Sequence, residues 1–211
     1  MNWKEAFSKR KFIIEFSITV VLLVSILIAL AKFLNFAEAR NGVTLDDPLL
    51  KLFKPVDLTW LTFALIYISL FAALLSFIKK PVLLITAFQS YVVLVIFRIT
   101  AMFILPLNPP ERMISLSDPF VEFFGTGQLL TKDLFFSGHT ATIFLFFLLT
   151  ENKKLKVFFF VSTIIVAVSV LLQHVHYSVD VFTAPFFVYA SFQIEKKLRP
   201  NFSADHLNQK N

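Results

Sequence analysis

The chain has 211 residues, 57% of them hydrophobic, with 28 phenylalanines and a mean hydropathy of +0.75. That composition excludes an ordinary water-soluble domain of this size and points to one polytopic membrane domain over residues 1–211. The net charge of +6 sits in short basic clusters between apolar runs rather than across a surface interleaved with aromatics, so lipid headgroups, not nucleic acid, are the expected anionic neighbours.

Zero cysteines exclude disulfides, thiolate metal sites and a cysteine nucleophile. Only four glycines are present, no low-complexity tract interrupts the chain, and no internal repeat is visible, so neither a flexible linker nor a second domain is expected.

A bilayer core about 30 Å thick is crossed by roughly 20 apolar residues in a helix. Six runs meet or approach that length: Phe12 to Phe36, Leu58 to Ile78, Pro81 to Leu105, Leu134 to Thr150, Val157 to Leu172 and Tyr177 to Ile194. They predict an all-α bundle of about six transmembrane helices over residues 12–194, preceded by a short N-terminal segment, 1–11, and followed by a tail, 195–211. Ala37-Glu38-Ala39 after the first run resembles a signal-peptidase site. The apolar part is longer than the roughly 7 to 15 residues of a signal peptide, so a retained helix is expected.

Lysines and arginines set the orientation. Lys4, Lys9, Arg10 and Lys11 precede the first run; Lys79 and Lys80 separate the second and third; Lys153, Lys154 and Lys156 separate the fourth and fifth; Lys196, Lys197 and Arg199 follow the sixth. The positive-inside rule assigns all four segments, and both termini, to the cytoplasm. The remaining connections mix signs, as in Glu38, Arg40, Asp46, Asp47, Lys51, Lys54 and Asp57, and are expected outside.

This orientation gathers the chemically interesting residues on one face. Arg98 lies 17 residues after Pro81, about 25 Å along a helix rising about 1.5 Å per residue and so close to the outer surface. His139 opens the fourth run there, and His174, His176 and Asp180 open the sixth. An interfacial histidine can be bland and an arginine can snorkel, but ionisable groups at membrane depth are costly and usually mark a site. His176 and Asp180 are four residues apart and share a helix face; His174 and His176, two apart, do not. The spacing favours a carboxylate-oriented histidine over a two-histidine metal site. His206, in the polar tail, is expected to be solvated.

An imidazole held by a carboxylate, a second imidazole, a helix N-terminus and an arginine suit phosphoryl transfer. A carboxylate fixes the tautomer of a neutral histidine and makes its far nitrogen more nucleophilic, so that it can attack phosphorus and form a phosphohistidine. A second, protonated histidine can supply the leaving alkoxide with its proton. Ser137 and Gly138 offer backbone donors to phosphate oxygens at a helix start, and Arg98 adds a charge-assisted contact. The chemistry needs no divalent metal, and no HExxH or Asp-rich metal motif is present.

Ser137-Gly138-His139-Thr140 and His176-Tyr177-Ser178-Val179-Asp180 resemble the second and third motifs of the type 2 phosphatidic acid phosphatase superfamily. More narrowly, the Asp133 to Thr140 block, the His174 to Asp180 block and the Arg98 to Pro106 segment resemble the sphingomyelin synthase branch. The resemblance covers about half of the chain. It implies a six-helix bundle with a metal-independent site: His176 as nucleophile, Asp180 as its orienting partner, His139 as acid or base, and Arg98, Ser137, Gly138 and Tyr177 as substrate contacts. No cofactor is implied.

The general phosphatase pattern has a Ser-Arg pair ahead of the last histidine, where this chain has Ser169-Val170. The loss of that arginine is shared with the sphingomyelin synthase branch and tilts the expectation toward phosphodiester headgroups. The expected partners are membrane lipids: a phospholipid donor and a ceramide or diacylglycerol acceptor. The expected location is the plasma (inner) membrane, with the site on its extracytoplasmic side. A plain lipid phosphate phosphatase, and a non-catalytic six-helix binding or transport protein, are the alternative readings.

Overall fold

A computed structural model describes residues 1–116 and 130–199. The described residues form seven α-helices: α1 Trp3–Phe7, α2 Arg10–Ala39, α3 Thr59–Phe77, α4 Pro81–Ile104, α5 Gly138–Leu149, α6 Lys153–Leu172 and α7 Ser178–Leu198. No strand occurs among them; Val43 and Leu107 form one isolated bridge. His206 lies outside the described residues.

Helices α2, α3, α4 and α6 are long and apolar enough to cross a membrane. Their polarity is inverted relative to a soluble bundle. Thr62, Ser69, Ser90, Thr140, Ser162 and Ser191 are buried between helices, while Val21, Phe71, Val157 and Phe182 are exposed outside. Small hydroxyl residues let helices approach closely, and the apolar exterior meets lipid tails at no cost. Ser191 and Thr163, for example, return their hydroxyls to Val188 O and Phe159 O.

Two of the six expected spans differ from the apolar runs that predicted them. The run Leu134 to Thr150 becomes helical only at Gly138, giving a 12-residue α5, about 18 Å long and too short to cross a bilayer core alone. Of its leading residues, Leu134 and Phe136 are buried in a non-helical approach to the helix: Phe136 stacks on Phe187 of α7 with ring centroids 4.3 Å apart. Helix α7 has 21 residues, but Asp180, Glu195 and two lysines make it less apolar than the four spanning helices. It continues to Leu198, so the expected tail begins as helix.

Conversely, α6 starts at Lys153, ahead of its apolar run, because the Asn152 side chain accepts from Lys154 N and Leu155 N and sets the start there. The N-terminal segment holds the short α1, where Asn2 caps Glu5 N and Trp3 stacks on Phe7.

Helix α4 packs against α2 and α7, α5 against α6 and α7, and α3 against α6. The basic clusters gather at one end. Trp3 Nε1 donates to Ile78 O, Lys80 pairs with Glu151 at 2.9 Å, and Arg199 pairs with Glu15. At the opposite end the connecting segments interlock: Val43 N donates to Pro106 O, Val56 N to Leu172 O, and Ile114 N to Gln173 O. Gly42 is needed in that lattice, since a Cβ there would lie 2.8 Å from Asn108 N.

Candidate active site

The site is assembled at the end opposite the basic clusters, where α5 and α7 begin. Ser137, the residue before α5, donates its amide to Asp180 O in the first turn of α7 at 3.1 Å. That bond fixes the two helix starts against each other and sets His139 beside His176, with ring centroids 6.4 Å apart.

His176 Nδ1 lies 3.4 Å from Asp180 Oδ2, at the long end of the hydrogen-bond range. The same Oδ2 accepts from Tyr177 N at 3.1 Å. The His176 and Asp180 side chains are 1% and 0% exposed. The pairing does not arise from two positions along one helix face, because α7 starts only at Ser178. His176 precedes the helix, and the Asp180 carboxylate folds back over the helix start to reach it. With Nδ1 toward the carboxylate, Nε2 is the nitrogen left for chemistry.

Arg98 projects from α4 to the entrance of α5. It is only 5% exposed. Its guanidinium donates to Phe136 O at 2.7 Å, pairs with Asp133, and lies over the Phe136 ring. Gly138 makes room for it: a Cβ at that position would sit 2.6 Å from Arg98 Cζ and closer still to Nη1. The glycine therefore serves the approach of an arginine to the helix start. The amides of Gly138 and Thr140, in the first turn of α5, have no acceptor within the helix, and Arg98 approaches that helix start at Gly138 with its charge paired to Asp133.

Tyr177 is placed differently from a free ligand contact. Its hydroxyl donates to Asn108 O at 2.9 Å and accepts from Leu45 N at 3.2 Å, tying two outer connections to the start of α7. Burial raises its pKa, the Asp180, Asp47 and Glu111 charges act the same way, and the Leu45 amide opposes them. The phenol stays protonated and keeps its donor role.

His174 is directed away from the pair. The helix α6 ends at Leu172, His174 turns the corner with φ 55, and its ring packs edge-on against Phe53. The two histidines separate because they occupy a non-helical corner, not because they lie on opposite faces of a helix.

Three supporting residues were not singled out by spacing. Asp133 holds Arg98. Asp47, from the α2–α3 connection, accepts from Ser178 N at 2.6 Å and caps α7 from a distance. Glu38, at the end of α2, accepts from Thr131 N and Lys132 N and anchors the entry to α5. Asp133 stood inside the motif block, but only a partner for Arg98 could have flagged it. Nothing local to Asp47 or Glu38 signals their partners.

Fold and site together define a helical membrane protein with a buried His–Asp pair and a second histidine facing it at one end of the bundle. Residues 132–197 match the family model described as PAP2 superfamily C-terminal. The match covers the His139 and His176–Asp180 motifs and under half of the chain, and it is a similarity of this segment to that superfamily. Neither the curated proteins nor the solved structures give a match to this chain.

Proposed function

We propose that this protein transfers or hydrolyses phospholipid headgroups through a phosphohistidine on His176, as in the sphingomyelin synthase-like branch, on the extracytoplasmic side of the plasma membrane. The observation that carries the reading is the His176–Asp180 contact of 3.4 Å facing His139 across 6.4 Å.

In the first step His176 Nε2 attacks phosphorus and forms an N–P bond. The P–O bond to the lipid alkoxide breaks, and His139 gives that oxygen its proton. In the second step an acceptor hydroxyl attacks the same phosphorus and passes its proton to His139, while the N–P bond breaks and His176 is restored. Asp180 holds the His176 tautomer throughout. Arg98, fixed by Asp133 and Phe136 O, presents guanidinium N–H groups beside the α5 start for the non-bridging oxygens. No metal enters these steps.

Water and a lipid alcohol compete for the intermediate, and a transferase must keep water out. Burial of His176 at 1% exposure favours transfer to a lipid acceptor such as ceramide or diacylglycerol. The test is to incubate purified protein with headgroup-labelled phospholipid, with and without each acceptor. Label moving to the added lipid is the expected result; soluble phospho-headgroup released at a rate no acceptor changes would leave a hydrolase. Release of inorganic phosphate from phosphatidic acid alone would instead identify a lipid phosphate phosphatase.

A further inference from the structure

Helix α3 carries no charged side chain, yet its first two turns brace both histidine-bearing segments. On one side stands Gln173, the residue after α6 and three before His176. Gln173 is 0% exposed, and its side-chain amide is directed at α3. Nε2 donates to Thr59 Oγ1 at 2.9 Å and to Asp57 Oδ1 at 3.4 Å, while Oε1 accepts from the Thr62 hydroxyl at 3.5 Å. Its backbone is engaged as well, the N–H with Ser169 O and the carbonyl with Ile114 N, both at 2.9 Å. A fully buried amide bonded in this way is stiff, because moving it leaves polar groups unpaired.

The corner that follows is pinned in turn. His174 N donates to Leu171 O, and Val175 N and His176 N both reach Val170 O, at 2.9 and 3.4 Å. With so short a corner folded onto the end of α6, whatever holds Gln173 against α3 also holds His176.

On the other side stands Phe63, next to Thr62 in the chain and 3% exposed. Its ring meets that of His139 in a T-shaped contact with centroids 6.2 Å apart, and it stacks on Tyr67 at 5.8 Å. Such a contact fixes the orientation of a ring as well as its distance. One rigid helix therefore bears on His139 directly and on His176 through the corner.

We propose that the start of α3 is the spacer that sets the separation of the two histidines, with Gln173 as positioning residue for His176 and Phe63 for His139. The inference rests on the phosphohistidine reading above, in which His176 attacks phosphorus while His139 must reach the oxygen leaving that same atom. An error of about 1 Å in such an arrangement costs about 100-fold in rate. Each residue acts through the histidine it holds.

The two roles separate by leaving group, since a lipid alkoxide needs the His139 proton and nitrophenolate leaves without one. Purified full-length protein is mixed with whichever of phosphatidylcholine and phosphatidylethanolamine it turns over, or with the nitrophenyl phosphodiester of the same headgroup, and the first turnover is followed. Phe63→Leu should slow the phospholipid reaction about 100-fold and the nitrophenolate burst less than about threefold. Gln173→Met, which keeps the shape and removes the three side-chain bonds, should slow both about 100-fold. Thr62→Val removes only one of those bonds and should slow both several-fold, which keeps the comparison open if Gln173→Met does not fold. Thermal unfolding in detergent identifies the variants that are folded.

Phe63→Leu slowing both substrates equally or neither, or a nitrophenolate burst untouched by Gln173→Met and Thr62→Val, would overturn the spacer and leave the phosphohistidine in place. An unaltered protein with no burst and no turnover of any of these substrates would sink the phosphohistidine reading and the spacer with it.

Discussion

Gly138 and the Arg98 guanidinium occupy adjoining space, so close that a single methyl group on the glycine would overlap Nη1. Glycine near a helix start ordinarily costs stability, and replacing it by alanine should gain about 0.5–1 kcal/mol where space permits. Here the sign reverses. Gly138→Ala should destabilise by about 1–3 kcal/mol through overpacking and lower turnover by displacing Arg98. Thermal unfolding in detergent measures the first effect, and a Tm at or above that of the unaltered protein would show that the arginine is not held there.

The histidine pair should separate by role. His176→Ala and His139→Ala are each expected to reduce turnover by roughly three or more orders of magnitude, while Asp180→Asn, which keeps size but spoils the tautomer, leaves more residual rate. His174→Ala should retain more activity than either histidine variant. Loss on His174→Ala equal to that of His176→Ala would place His174 in the reacting centre.

Asp47 makes acid stability testable. Burial acts to raise its pKa, but the Ser178, Leu49 and Leu50 hydrogen bonds outweigh it and hold the carboxyl below the ordinary 3.8. A depressed folded-state pKa contributes stability that is fully present above about pH 5 and is lost as pH falls through the folded value. Asp47→Asn should therefore unfold more readily near neutrality, and its stability should fall less between pH 5 and pH 3. Parallel stability curves over that range would contradict the role of Asp47 as the cap of α7.

The long helices were legible because apolar runs bounded by lysine pairs and Pro81 leave little choice of register; α3 and α4 fall within a residue of the expected ends. The histidines and Asp180 stood out in the sequence because ionisable groups are rare in so apolar a chain, and the fold brings His139, His176 and Asp180 together. What the chain did not disclose is tertiary in origin. Leu134 to Phe136 is as apolar as a helix, but its partner is Phe187, which only the folded α7 supplies. Asp133 and Arg98 are 35 residues apart, Asp47 and Ser178 are 131 apart, and no periodicity connects such pairs.

The separation of the basic end from the site end makes the topology testable. A cysteine replacing the exposed Glu111 should react with an impermeant reagent in intact cells, and one replacing the exposed Lys154 should react only after permeabilisation. The opposite labelling pattern would place the histidine pair in the cytoplasm.

The central claim is the covalent intermediate on His176. Purified protein mixed with headgroup-labelled phospholipid and quenched within the first turnover should carry acid-labile, alkali-stable label on the peptide containing His176, with none on the His176→Ala protein. Turnover of the same lipid with no label on that peptide, or at an undiminished rate after His176→Ala, would contradict the account.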